Sequence, residues 1–207
     1  MSKLARVLLA FTFLGGMIVG PLFIGKASAG TVPGDAACAT VQPIGFMDLL
    51  NLVDTLDQTS SSDATVTTNV TAQSVQEGPE ISAADKVEVE NTLASLISCV
   101  NKRDPLRIVG LLSERYQALL VLDLLNGADA MSVIAQQIPD IVNSSSASEP
   151  LETPNVLKAW HESAGSDNIA AIISMSIPGQ DEPISFYVVL TPVGDAWKID
   201  QISRYEN

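Results

Sequence analysis

His161 is the one histidine of the chain, and an imidazole is the side chain best matched to taking up and returning a proton near neutral pH. For catalysis it would need a carboxylate or phenol within hydrogen-bond reach, inside a pocket that keeps water out. The partners to weigh are Asp200 and Tyr187, which fall in the same carboxy-terminal stretch. Cys38 and Cys99 are the only cysteines; with one His they cannot complete a four-ligand zinc cluster. No G-x-S-x-G, G-x-G-x-x-G or P-loop spacing occurs, and no calcium loop is spelled out. Asp123 and Asp129 flank a helix break, but acidic residues are too frequent here for such a pair to mean much. No metal and no cofactor are therefore expected.

The elements that must position these groups divide the chain into helices first and strands afterwards. Ser82-Ala83-Ala84-Asp85 resembles a capping box with Asp in place of Glu, and the helix it opens sets Leu93, Leu96, Ile97 and Val100 on one face until Asn101-Lys102. Asp104-Pro105 reads as N-cap and first-turn proline of a short helix carrying Leu106, Val109 and Leu112. Ser113 to Leu125 continues helical, with Asn126-Gly127 as its stop, and Asp129 caps a further helix that Pro139 closes. After Pro154 the apolar period becomes two, giving strands Val156 to Glu162, Ile169 to Ile177, Ile184 to Thr191 and Trp197 to Ser203. Their short connections predict an antiparallel four-stranded meander, and the whole an α+β domain with helices on one face of a curved sheet.

A trial register places Ser163 opposite Asn168, Ile177 opposite Ile184, and Leu190 opposite Trp197. The face turned to the helices then holds Lys158, Trp160, Met175, Phe186, Trp197 and Gln201. Of these Trp160, Met175, Phe186, Trp197 and Gln201 are the candidate ligand-binding residues, against the plainer reading that the apolar ones are only core. His161, Tyr187 and Asp200 fall on the opposite face, with Tyr187 and Asp200 across from each other. That makes them weak catalytic candidates, since a cross-strand Tyr–Asp pair is more often a surface hydrogen bond. A one-residue slip or a bulge would exchange the two faces.

The amino-terminal part is of another kind. Lys3 and Arg6 precede an apolar run from Val7 to Ile24, and Ala27-Ser28-Ala29 fits a signal-peptidase site, so residues 1–29 read as a secretory signal peptide. A retained membrane anchor is the alternative, since about 18 apolar residues is near the lower limit for a span. Nothing later could cross a membrane. Removing Lys3, Arg6 and Lys26 with the signal lowers 11 basic residues to 8 against 24 acidic ones, a net charge of −16. Such a field repels nucleic acid and anionic lipid; it serves either only to keep an exported protein soluble or to meet a cationic partner. Residues 30–81 are poor in pattern: Ile44 to Val53 has apolar residues enough for a short helix, and Thr59 to Thr71 has the composition of a linker or disordered arm. Asn69-Val70-Thr71 and Asn143-Ser144-Ser145 are formal glycosylation sequons. In an oxidising compartment Cys38 and Cys99 are expected to pair, closing a loop of about 60 residues worth on the order of 4 kcal/mol in the chain-entropy model. Otherwise Cys99 is simply a small buried residue.

The order of elements, with Leu96-Ile97-Ser98-Cys99-Val100-Asn101-Lys102-Arg103-Asp104 before a short Leu-rich helix and Ala196-Trp197-Lys198-Ile199-Asp200-Gln201-Ile202 at the end, resembles the nuclear transport factor 2-like superfamily. That group includes ketosteroid-isomerase-like and SnoaL-like domains. The resemblance covers Ser82 to Asn207. It implies a cone-shaped fold with a pocket between helices and concave sheet, and frequent dimerisation through the sheet. It implies no single activity, because isomerases, dehydratases, cyclases and non-catalytic members share the fold.

The resulting expectation is an exported, non-catalytic domain that binds a small apolar ligand or a protein partner, not nucleic acid and not membrane once the signal is removed. Two alternatives stand beside it. One is an isomerase- or dehydratase-type enzyme working in the cone pocket; the other is a structural module at the cell envelope that forms a homodimer through the outer sheet face.

Overall fold

The computed structural model describes residues 34–45, 48, 51, 69–71, 75–118, 130–137, 139–143 and 149–206. The signal segment, most of the Thr59 to Thr71 stretch, most of the Ile44 to Val53 helix, Asp123, Asp129 and the Asn126-Gly127 stop lie outside them.

Helix α1 (Gly34–Thr40) and strand β1 (Asn69–Thr71) precede helices α2 (Ala83–Asn101), α3 (Pro105–Leu111), α4 (Ala130–Gln137) and α5 (Pro139–Val142). Strands β2 (Asn155–His161), β3 (Ile169–Met175), β4 (Ile184–Val193) and β5 (Ala196–Glu206) follow. The start of α2 is capped as its sequence predicts: Ser82 Oγ accepts from the Asp85 amide at 3.1 Å and donates to its carboxylate at 2.7 Å. Its end is a Schellman turn, in which the Arg103 amide donates to Val100 O at 2.9 Å and the Asp104 amide to Cys99 O at 3.1 Å. Arg103 holds the left-handed position of that turn with φ 52°, where glycine is the usual residue. Asp104 at once caps α3 through the Arg107 amide, with Pro105 in the first turn. Pro139 was expected to close α4; it also opens α5, because its missing N–H costs nothing in a first helical turn.

The sheet order is β1-β5-β4-β3-β2. The four-stranded antiparallel meander follows from the short connections, and Gly165, Gly179 and Gly194 in those connections take positive φ. A fifth strand, β1, pairs parallel with the end of β5, so Asn69–Thr71 belongs to the sheet and not to a linker. Residues before Ser82 are built in elsewhere too. Cys38 and Cys99 form a disulfide with their Cα atoms 4.9 Å apart, both buried, which fixes α1 on α2. The Cys38 amide donates to Ser98 Oγ, the Ile44 amide to Leu106 O, and Arg107 Nε to Val41 O. Gly110 of α3 lies so close to this segment that a Cβ there would stand 2.3 Å from Gln42 O.

One apolar cluster joins the helices to a single side of the sheet, with Leu93, Leu96, Val100 and Ile108 meeting Ile173, Met175, Phe186, Val188, Leu190 and Ile199. A smaller one, on the other side, gathers Trp160, Ala170 and Ile172, with Val75, Tyr187 and Tyr205 against them. Both edges of the meander are covered. Leu112 and Ser113 lie along β5 at Ile199, the Ser113 amide donating to Ile199 O at 2.8 Å, and residues 77–80 lie along β2.

Candidate functional site

The register differs from the trial pairing at each hairpin, and two bulges decide which side chains share a face. Along β2–β3, Val156 is opposite Ile173 but Lys158 is opposite Ile172, so Leu157 is the extra residue. Beyond it Trp160 is opposite Ala170 and His161 opposite Ile169. The bulge therefore sends Lys158 and Trp160 to the outer face and brings Ala159 and His161 to the helix side, reversing the expectation for Trp160 and His161. Along β4–β5, Leu190 is opposite Ile199 but Val189 is opposite Gln201, so Asp200 is the extra residue. Gln201 thereby moves to the outer face, where Nε2 donates to Ser203 Oγ at 2.9 Å, and Ile202 turns inward. The β3–β4 pairing is shifted by two residues, Met175 opposite Ile184, and a shift of two leaves the faces unchanged.

His161 ends a row that runs Ile169, Leu190, Ile199 across the sheet. Its backbone N–H donates to Pro79 O at 2.8 Å. The ring is half-buried, and Nδ1 is buried with no hydrogen-bond partner among the described residues. A buried polar atom left unpaired costs about 1–3 kcal/mol, so this nitrogen favours an added donor or acceptor.

Asp200 is not opposite Tyr187, which pairs with Ser203. Its carboxylate accepts from Ser113 Oγ at 2.6 Å and meets Arg115 Nη2 at 2.9 Å, while the same guanidinium donates to Asp200 O at 3.0 Å. Ser113 Oγ also accepts from the Tyr116 amide at 3.3 Å, capping the helical residues 114–118. The bulge thus presents a carboxylate that ties this helix to β5. Tyr116, missed in the sequence, packs within the main cluster at 2 % exposure, and its hydroxyl makes no hydrogen bond of ordinary geometry among the described residues. Burial pushes the phenol up to about 12; Arg115 and the nearby Ile202 backbone oppose the rise, and Asp200 adds to it. Only the Ser-x-x-Tyr spacing before an apolar run hints at this cluster, and it does not name the strand it meets.

The ligand-binding set divides between the two faces. Met175 and Phe186, at 2 % and 4 % exposure, are in the main cluster, with Trp197 packed partly buried against it. Trp160 is on the outer face beside Tyr187, ring centroids 6.3 Å apart and planes at 45°. Burial, with Glu162 nearby, raises the Tyr187 phenol above its ordinary value. Lys198 gives its ammonium to Gly110 O at the end of α3, and partial burial lowers its pKa. Among the described residues no group of three His, Cys, Asp or Glu could hold a metal ion, and no helix is long and apolar enough to cross a membrane.

No protein-family model matches the chain, and no curated protein or solved structure does either.

Proposed function

We propose that this chain is an exported, non-catalytic domain of nuclear transport factor 2-like architecture that works by binding a protein partner. The observation that carries the non-catalytic reading is the separation of the three candidate catalytic side chains. His161 ends a strand on the helix side, Asp200 is committed to Ser113 and Arg115, and Tyr187 lies against Trp160 on the other face. A protein partner is favoured over a small apolar ligand because Met175 and Phe186, the best candidates to line a cone, are packed within a continuous cluster. Export is supported by the Lys3/Arg6 charge, the Val7 to Ile24 run and the Ala27-Ser28-Ala29 site, and agrees with the Cys38–Cys99 disulfide.

The test offers the purified mature domain a panel of β,γ-unsaturated ketones and β-hydroxycarbonyl compounds, the substrate classes of isomerase and dehydratase chemistry. No turnover above the buffer rate is expected. Steady turnover that disappears in a folded His161→Ala variant overturns the reading in favour of the second one. That second reading, an acid–base enzyme, is favoured by one observation, the unpartnered Nδ1 of His161.

A further inference from the structure

The outer edge of β2 would expose its backbone groups if nothing lay beside it. It is covered near its end by the chain's own Pro79 and Glu80, which run antiparallel to it and follow directly on residues 75–78. Glu80 bridges to Trp160, and the His161 amide donates to Pro79 O at 2.8 Å. Just before them Gly78 lies so close that a Cβ would stand 2.0 Å from His161 O, against backbone that cannot yield without the strand moving. Ahead of it, Glu77 pairs with Lys158, and Val75 packs on the cluster of Trp160, Ala170 and Ile172. A main-chain bridge, an apolar seat, a charge of fitting sign and one position open only to glycine are together the means by which a sheet edge recognises an added strand.

From this geometry we propose that the β2 edge is a strand-addition site for an extended acidic Gly-Pro peptide, filled in cis by residues 75–80 as a strap that opens independently of the core. The strap's apolar residue Val75 packs on the smaller cluster, and its ion pair is exposed at both ends. Ile81, the next residue, packs against the main cluster and fixes the hinge from which the strap departs. Opening therefore breaks contacts of the outer face and leaves the helix-side cluster whole. Such partial openings cost less than global unfolding and are seen as faster amide exchange in the segment concerned. The proposal is independent of the partner reading above and stands or falls on the edge alone.

Amide exchange on the mature chain tests it. In the unaltered protein the His161 amide is expected to exchange at least about 10-fold faster than the amides of Ile172 and Val188, which lie in inner strands. In Gly78→Val the His161 rate should rise by about a further 10-fold with β3 and β4 still protected, and a synthetic peptide of residues 75–81 should slow it again. Equal rates at His161 and the inner strands in the unaltered protein overturn the proposal, because the strap then opens only with the whole domain. So does an unchanged His161 rate in Gly78→Val, a collapse of protection throughout the sheet in that variant, or a peptide without effect.

Discussion

The two faces of the sheet are held by different means. On the helix side, side chains from α2, α3 and four strands share one cluster, in which Leu93, Val100, Ile108, Leu190 and Ile199 are almost wholly buried. On the outer side three buried residues, Trp160, Ala170 and Ile172, are completed by two tyrosines and the strap residue Val75. The first side is a core whose loss is the loss of the fold. The second is a smaller assembly, to which one extended segment contributes Val75. Chemistry follows the same division: the helix side receives His161, whose Nδ1 has no hydrogen-bond partner among the described residues, and the outer side receives the paired aromatic rings.

The largest expected effects come from the helix side. Replacing Cys38 and Cys99 by Ala frees a loop closed between positions 61 residues apart and should cost about 4 kcal/mol in denaturant unfolding. A smaller loss would mean that the hydrogen bonds around Ser98 and Leu106 already hold α1. Leu96→Ala, which empties a site at 1 % exposure, should cost about 3 kcal/mol, whereas Val75→Ala on the outer side should cost about 1 kcal/mol or less. Equal costs would erase the distinction between the faces.

Tyr116 gives the comparison a pH axis. Its folded pKa is raised from 10.0 to about 12, so the neutral phenol is preferred in the folded state. Stability is then unaffected below pH 10 and falls by up to about 3 kcal/mol as the pH climbs through 12. Tyr116→Phe should remove that alkaline loss and leave stability at pH 7 equal or slightly higher, because a buried hydroxyl without a partner disappears. An alkaline unfolding curve identical in the two proteins would place the phenol in water. One small effect is a gain: Arg103→Gly relieves the left-handed turn at φ 52° and should raise stability by about 1 kcal/mol, read as a higher urea midpoint.

The architecture was legible where local chemistry decides it. Ser82 and Asp104 announce their helices, the change of period after Pro154 announces the strands, and the short turns announce the antiparallel order. The faces were not legible, because a single extra residue inverts every side chain that follows. A trace of both bulges is nevertheless present: Ile199 and Ile202, like Val156 and Ala159, are apolar at a spacing of three, where an unbroken strand would repeat at two. The outer strap was illegible for another reason. Val75-Gln76-Glu77-Gly78-Pro79-Glu80 has the composition of a linker, and nothing local says which edge it lies on.

The account rests on the bulges at Leu157 and Asp200, which send Trp160 outward and bring His161 inward. A map of proton–proton contacts by nuclear magnetic resonance on the mature domain tests this most directly. The account predicts contacts from the Trp160 indole to Tyr187 and Val75, and from the His161 ring to the side chain of Ile169. Contacts from Trp160 to Leu93 or Leu96, with His161 free in solvent, would contradict it and restore a pocket lined by Trp160 and Gln201.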